Sequence, residues 1–263
     1  GALLGSIICK LLCVVGFSFL LGGFRYKEQS YSENTVHTCM NVLLLASACV
    51  LLPSTVAYID LPAIQAIYLS RYIAIIVACT YPLYLWFQLH THKSLFQREE
   101  FEDEVEGKVE PMSFKSLVLL VVFLTYLIGE CSDALIDGIE PLTMRFGFSQ
   151  LFVGLVLLPL VNSIGELIQG VKLALKNEMD LSLTVTIGSC LQTALFMIPL
   201  MVLLGWALNV PVTLAFPGAQ AISFILSVLV VQAVTSDRKS NWFEGVLLLT
   251  LYGTICFLFL YCL

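Results

Sequence analysis

Glu166 is the residue in this sequence whose surroundings most strongly indicate chemistry, because it lies inside the apolar run Leu151–Leu175. A carboxylate within a membrane costs roughly 2.5 kcal/mol or more and is kept mainly where it meets a partner, a proton or an ion. We therefore interpret Glu166 as a group that binds a proton or a cation during transport. The alternative is that Glu166 has a structural role and forms a polar contact between two helices.

Other polar residues share one helical stripe with Glu166. At helical spacing Asn162, Ser163, Glu166, Gln169 and Gly170 lie on the same face. Oxygen atoms on one face suit a hard cation such as calcium. The sequence thus predicts oxygen ligands around Glu166.

A second acidic stripe occurs earlier in the chain, where four carboxylates are spaced by three or four residues: Glu130, Asp133, Asp137 and Glu140. Such a stripe does not face lipid comfortably. Carboxylates so close together favour sharing protons, so we interpret Glu130, Asp133 and Asp137 as a proton path. The alternative is that the last two acids are simply solvated at a helix end.

These residues must be positioned by membrane-spanning helices, because the chain is 59% hydrophobic with a mean hydropathy of +0.92. Runs of about 20 apolar residues, the length that crosses a bilayer, recur along it. We predict an all-α polytopic membrane protein of about eight spans. The runs are Gly1–Phe24, Val36–Tyr58, Tyr72–Leu89, Phe114–Ile136, Leu151–Leu175, Leu181–Leu208, Ala219–Thr235 and Val246–Leu263.

Composition also limits other functions. The nine cysteines show no paired spacing, so neither a disulfide framework nor a zinc site is predicted. No phosphate-binding loop, nucleophile constellation or nucleic-acid patch is present, and we predict neither enzymatic activity nor a cofactor. Much of the net charge of −6 comes from the acidic segment 98–110. The expected partners are the lipid bilayer, a transported cation and protons, and the sequence leaves the oligomeric state open.

Basic residues concentrate in every second loop, which the positive-inside rule places in the cytosol. They include Arg25 and Lys27, Lys172 and Lys176, and Arg238 and Lys239. The acidic segment belongs to the same set of loops, so we predict that it is cytosolic.

An internal repeat is visible between two spans. The first span begins with Gly5-Ser6 and ends near Gly22. A later span has Gly188-Ser189 and then Gly205 at the same interval. Weak self-similarity between two halves is typical of secondary transporters, whose site lies where the repeats meet. If the repeat is real, the first half lacks its opening helices, and we expect the chain to be a truncated or processed product. Chance is the alternative, because Gly-Ser pairs also serve close helix packing.

Longer segments closely resemble the cation/proton exchanger family of the calcium/cation antiporter superfamily, particularly its fungal vacuolar calcium/proton exchangers. The resemblance runs through Leu69–Arg71, Phe87–Lys93, the acidic segment, Phe152–Leu167, Lys176–Leu181, Ile187–Gln192, Met201–Trp206 and Asn241–Val246. It implies a sodium/calcium exchanger-like inverted-repeat fold. It also implies antiport of calcium against protons across the vacuolar membrane. Each repeat of such an exchanger carries one acidic motif, and the resemblance implies that the amino-terminal helices with the first motif are absent from this sequence.

The resemblance also assigns residues. The family motif, roughly Gly-Asn-Ala-x-Glu-His, falls on Asn162–Leu167, which keeps the acid at Glu166 but has Ser163 for the amide and Leu167 for the histidine. The loss of an imidazole puts proton coupling at that position in doubt. Ser189 and Gln192 match family positions that face the ion site, and Asp133 matches the family's acidic position in its helix.

The first span departs most from the family pattern. Ser6 keeps the family residue, whereas Cys9 replaces a serine and Lys10 an asparagine. A buried ammonium needs an acid, and Glu166 or Asp133 are the candidates. It would occupy the position of a cation and weaken calcium binding. The alternative is that Lys10 reaches to the membrane surface.

We therefore divide the chain into three parts. Residues 1–90 are interpreted as the last three helices of an incomplete first repeat, 91–113 as an acidic cytosolic loop or helix, and 114–263 as a complete second repeat. The leading prediction is calcium(cation)/proton antiport that sequesters calcium, with Glu166 as the calcium ligand. The alternatives are a transport-incompetent fragment or degenerate homologue with a scaffold or regulatory role, or an exchanger of altered cation selectivity.

Overall fold

A computed structural model describes residues 1–31, 33–55, 63–93 and 113–261. Its described part is almost entirely helical, with one two-stranded sheet. The α-helices are α1 (Ala2–Cys9), α2 (Val15–Arg25), α3 (Glu33–Thr55), α4 (Ala63–Trp86), α5 (Phe114–Phe146), α6 (Gln150–Phe152), α7 (Leu158–Asn162), α8 (Ile164–Leu175), α9 (Met179–Gln192), α10 (Ile198–Ala207), α11 (Gly218–Val234) and α12 (Trp242–Tyr261). The strands are β1 (Gln29–Ser30) and β2 (Lys239–Ser240).

Several of these helices join into longer spans. Among the described residues, seven helices are long and apolar enough to cross a membrane, and an eighth span is formed by Gln150–Asn162 and Ile164–Leu175, which meet at a bend of 50°. The prediction of about eight spans in an all-α membrane protein is therefore confirmed.

Two of the spans contain a π-helical turn at equivalent positions. Lys10–Val14 joins α1 to α2, and Thr193–Met197 joins α9 to α10. Thr193 follows Lys10 by the same number of residues that separates Gly188 from Gly5. The closing glycines also behave alike, because Gly22 packs against Gln29 and Gly205 against Val212, again at that offset. The repeat seen in the sequence thus corresponds to a repeated local structure.

Glycines line the contact between α2 and α12. α2 and α12 cross where Gly16, Gly23 and Gly245 face the opposite helix. A Cβ at Gly245 would overlap the backbone of Leu20 and Gly16. Small residues allow helices to approach closely where lipid offers little hydrophobic driving force. The start of α12 is fixed by reciprocal bonds, since the amide of Glu244 donates to Asn241 Oδ1 and the amide of Asn241 donates to Glu244 Oε2.

Three of the basic loops meet on one side of the molecule. β1 and β2 pair antiparallel, with Gln29 opposite Ser240, which joins the loop after α2 to the loop after α11. Gln29 Nε2 also donates to the carbonyl of Ala174 and to Asn177 Oδ1, at 2.8 and 3.0 Å. The loop after α8 therefore lies beside the other two. This arrangement agrees with the alternation of basic loops in the sequence.

The helix α5 lies apart from the buried core. Every residue from Phe114 to Ala134 is exposed in the described part of the molecule. The acidic segment 98–110 lies outside the described residues. The division of the chain into residues 1–90, 91–113 and 114–263 stays a prediction.

Candidate functional site

Glu166 lies just after the break in the bent span. Pro159 has no N–H to donate to the carbonyl of Leu155, and a π-helical turn, Val153–Leu157, precedes it. The span then bends at Ser163, which separates α7 from α8. Glu166 is consequently in the first turn of α8, where the helix dipole favours a negative charge. Broken helices near mid-membrane are a recurrent way of building ion sites in transporters.

Lys10 forms an ion pair with Glu166. Its Nζ is 2.8 Å from Glu166 Oε1, and the exposed fractions of the two side chains are 10% and 32%. The ammonium therefore points into the bundle and does not reach for the membrane surface. Of the two predicted acid partners, the structure brings Glu166 to Lys10.

Ser189 completes a three-helix contact. Lys10 Nζ donates to Ser189 Oγ at 2.6 Å, and Ser189 Oγ donates to Glu166 Oε1 at 3.2 Å. Lys10 follows α1, Ser189 lies on α9 and Glu166 lies on α8. The contact thus joins the two repeated spans to the broken span that carries the acid.

Gly5 allows α1 to approach the broken span. A Cβ at this position would overlap the backbone carbonyl of Leu155, the group that Pro159 leaves without its usual helical donor. The equivalent residue, Gly188, has no atom within 4 Å of an added Cβ among the described residues. The close approach therefore exists in only one of the two equivalent places.

The other predicted site residues on these helices differ in how far they are exposed. Ser163 is buried and Ser6 is half-buried, whereas Asn162 and Gln192 are exposed. Leu167, at the family's histidine position, is half-buried. The structure thus assembles Lys10, Glu166 and Ser189 with Ser163 nearby, and it leaves the two amides Asn162 and Gln192 at the surface of the described part.

The acids of α5 are not brought to Glu166. Glu130, Asp133 and Asp137 are exposed on that helix. A groove between α5 and α7 is lined by Ile128, Ser132 and Asn162. A proton path through these acids remains a prediction.

Sequence reasoning missed one residue beside the site. Tyr252 of α12 is 9% exposed, and its helix packs against the turn Lys10–Val14. The sequence signal was weak, because Tyr252 is one of four hydroxyl-bearing residues in the apolar run Val246–Leu263.

The arrangement supplies one carboxylate, two serine hydroxyls and a competing ammonium. Glu166 Oε2 and Ser163 Oγ are buried without a hydrogen-bond partner in the described structure. In the described ranges no group of three or more His, Cys, Asp or Glu side chains is placed to hold a metal ion. The site can therefore exchange a proton or a single cation at Glu166, provided that Lys10 gives way.

The fold and this site define a secondary transporter of the inverted-repeat exchanger class. The chain belongs to the sodium/calcium exchanger protein family, whose model matches residues 1–90 and 115–261. This confirms the assignment made from the sequence resemblance.

Two relatives of this chain are named as calcium transporters. The chain is 37% identical over 268 residues to a Ca(2+)/H(+) antiporter of Aphanothece halophytica, covering 95% of this chain and 71% of that protein. It is 34% identical over 266 residues to the vacuolar calcium ion transporter of Schizosaccharomyces pombe, covering 99% of this chain and 64% of that protein. Part of each relative therefore has no counterpart here.

Solved structures agree on the fold. The structure of native YfkE matches with a TM-score of 0.80 at 26% identity, covering 98% of this chain and 73% of that one. The sodium-calcium exchanger NCX_Mj matches with a TM-score of 0.60 at 21% identity, covering 97% and 74%, and this likeness concerns the fold alone. The predicted fold class is thus confirmed.

Proposed function

We propose that this chain belongs to a calcium(cation)/proton antiporter of the vacuolar membrane, which uses the proton gradient to sequester calcium. The observation that carries the proposal is Glu166, an acid in the first turn after a broken membrane span, in contact with both repeated spans. The names of the relatives support calcium and protons as the exchanged ions. The fission yeast relative supports the vacuole.

In this proposal Glu166 alternately binds a proton and the transported cation. A carboxylate that holds one cannot hold the other, which is the minimal basis of exchange. Ser163 and Ser189 supply neutral oxygens on either side of Glu166. Asp133, Gln192, Asn162 and Ser6 belong to the proposed ion-binding set on the sequence resemblance alone, because the described structure leaves Asp133, Gln192 and Asn162 exposed. Glu130 and Asp137 belong to the proposed proton path on the same basis.

Lys10 favours a second candidate function. Its ammonium already satisfies one oxygen of Glu166, so a divalent cation must displace it. If displacement is too costly, the chain is a transport-incompetent relative that keeps the packing of the fold for a scaffold or regulatory role.

Proton-driven uptake of calcium-45 into vacuolar vesicles, from cells without their own exchanger, tests the proposal. We expect the chain to take up calcium and Glu166→Gln to abolish the uptake. Glu28→Gln is the matched control, because it removes an exposed acid that is also paired with a lysine. Absence of uptake by well-expressed protein, without rescue by Lys10→Asn, would support the second candidate.

A further inference from the structure

Arg71 of α4 lies against two aromatic rings where α4 contacts α10. Its guanidinium carbon is 5.1 Å from the centre of the Trp206 ring of α10 and 5.6 Å from the centre of the Tyr68 ring of α4. Both distances are within the range of a cation–π interaction. A ring from each helix therefore contacts the guanidinium, and we call these three residues the Arg71 cluster.

The Arg71 cluster lies on the side of the membrane opposite β1 and β2. The span Met179–Ala207 begins just after the loop that Gln29 contacts, and Trp206 is one residue from its other end. Arg71 directly precedes the apolar run Tyr72–Leu89, so it lies at the edge of the hydrocarbon. Tryptophan and tyrosine are enriched at this depth, where the lipid headgroups begin.

The charge of Arg71 is not balanced by a carboxylate among the described residues. Its side chain forms neither an ion pair nor a hydrogen bond within that part of the chain, and it is half-buried. A guanidinium can stack on aromatic rings through its face and still donate through its N–H groups, which form a planar fork that matches a phosphate. Arg71 therefore has the donors for a bidentate anion from outside the chain.

The surface of α4 below Arg71 suits the acyl chains of a lipid. Tyr72, Ile75 and Ile76 follow Arg71 into the apolar run, and all three are exposed. Only 17% of the apolar stretch of α4 is buried in the described structure, so most of this helix faces outward. A phosphate at Arg71 with hydrocarbon along these three side chains is the chemistry of a phospholipid.

We propose that the Arg71 cluster binds the phosphate of a phospholipid in the leaflet opposite β1 and β2, and that this lipid joins α4 to α10. α4 belongs to residues 1–90 and α10 to residues 114–263, the two parts predicted to be repeats. The lipid would thus stabilise a contact between them. The cluster shares no residue with the contact around Glu166, so its test does not depend on which ion the chain carries.

Quenching of Trp206 fluorescence in the purified full chain in detergent tests this proposal. Phenylalanine replaces the other two tryptophans, Trp86 and Trp242, so that Trp206 alone gives the signal in this background. The probe is phosphatidylglycerol with a nitroxide near the glycerol end of one acyl chain, at a low mole fraction in the micelles. We expect saturable quenching. Arg71→Gln should weaken binding at least about tenfold, because charge-assisted hydrogen bonds are lost.

Two controls separate this site from general contact with lipid. Arg25→Gln is the matched variant, because Arg25 also lies against a tyrosine ring, 5.8 Å from the centre of Tyr26, but on the side of β1. We expect it to bind the probe at Trp206 as the background protein does. Diacylglycerol with the same labelled chain should quench without saturation, because it has no phosphate. Equal affinities of Arg71→Gln and the background protein, or saturable quenching by the diacylglycerol, would overturn the proposal.

The comparison of the two labelled lipids in the background protein decides the question even if Arg71→Gln does not fold. Inorganic phosphate then distinguishes a lipid from a free anion. At matched ionic strength, phosphate should displace the labelled phosphatidylglycerol no better than chloride does. Displacement by phosphate alone would assign the site to a free anion and refute a lipid site.

Discussion

Replacing Lys10 with asparagine should strengthen calcium binding at Glu166 at least about a hundredfold, a difference of about 2.7 kcal/mol. Lys10 Nζ lies 2.8 Å from Glu166 Oε1 and donates to Ser189 Oγ at 2.6 Å. Asparagine carries no charge, and its amide keeps a polar group on the span. The variant therefore removes the competing cation and leaves Ser189 Oγ as the donor to Glu166 Oε1.

The magnitude follows from the distance between the two positive charges. Calcium binds carboxylate oxygens at about 2.4 Å, so a calcium ion sharing Glu166 with the ammonium would lie within roughly 5 Å of Nζ. At an effective dielectric constant of about 20 the repulsion is roughly 7 kcal/mol, and at about 50 it is roughly 3 kcal/mol. The lower value is appropriate because the Glu166 side chain is 32% exposed.

Equilibrium binding of calcium-45 to purified protein at one fixed pH measures this effect. The matched control is Lys239→Asn, which removes a lysine paired with Glu28 at 2.7 Å on the exposed surface. We expect the control to bind calcium as the parent does. Equal calcium affinities of Lys10→Asn and the parent, or an equal gain in both variants, would refute the reasoning.

Three further predictions concern stability, each measured as a change in melting temperature of the purified protein. Gly5→Ala should destabilise the fold by about 1–3 kcal/mol because its Cβ overlaps a backbone carbonyl, whereas Gly188→Ala, with open space at the equivalent position, should be tolerated; similar losses in both would contradict this packing. Lys239 holds the pKa of Glu28 below its ordinary value, so the pair contributes stability above the unfolded carboxyl pKa and loses it as the pH falls below that value. Glu28→Gln should therefore lower the melting temperature slightly near pH 7 and leave it unchanged near about pH 3, and a difference that persists in acid would argue against the ion pair. Asn241→Ala should cost about 1 kcal/mol by removing the N-cap of α12, and an unchanged melting temperature would show that the cap is dispensable.

Much of the fold followed from the sequence because membrane spans are long and chemically simple. About 20 apolar residues are needed to cross the bilayer, and few other patterns produce such runs. The bend at Ser163 was less visible, although Pro159 and Gly165 flank it. The pairing of β1 with β2 could not have been predicted, because strands of two residues leave no periodic pattern.

The site was predicted in part for a similar reason. An acid and a lysine within apolar runs each require a partner, so the contact between Lys10 and Glu166 was one of two expected pairings. Choosing between Glu166 and Asp133 required the packing of α1 against the broken span, which depends on Gly5 and the Leu155 carbonyl. The exposed position of Asp133 on α5 is a tertiary property that spacing along one helix does not reveal.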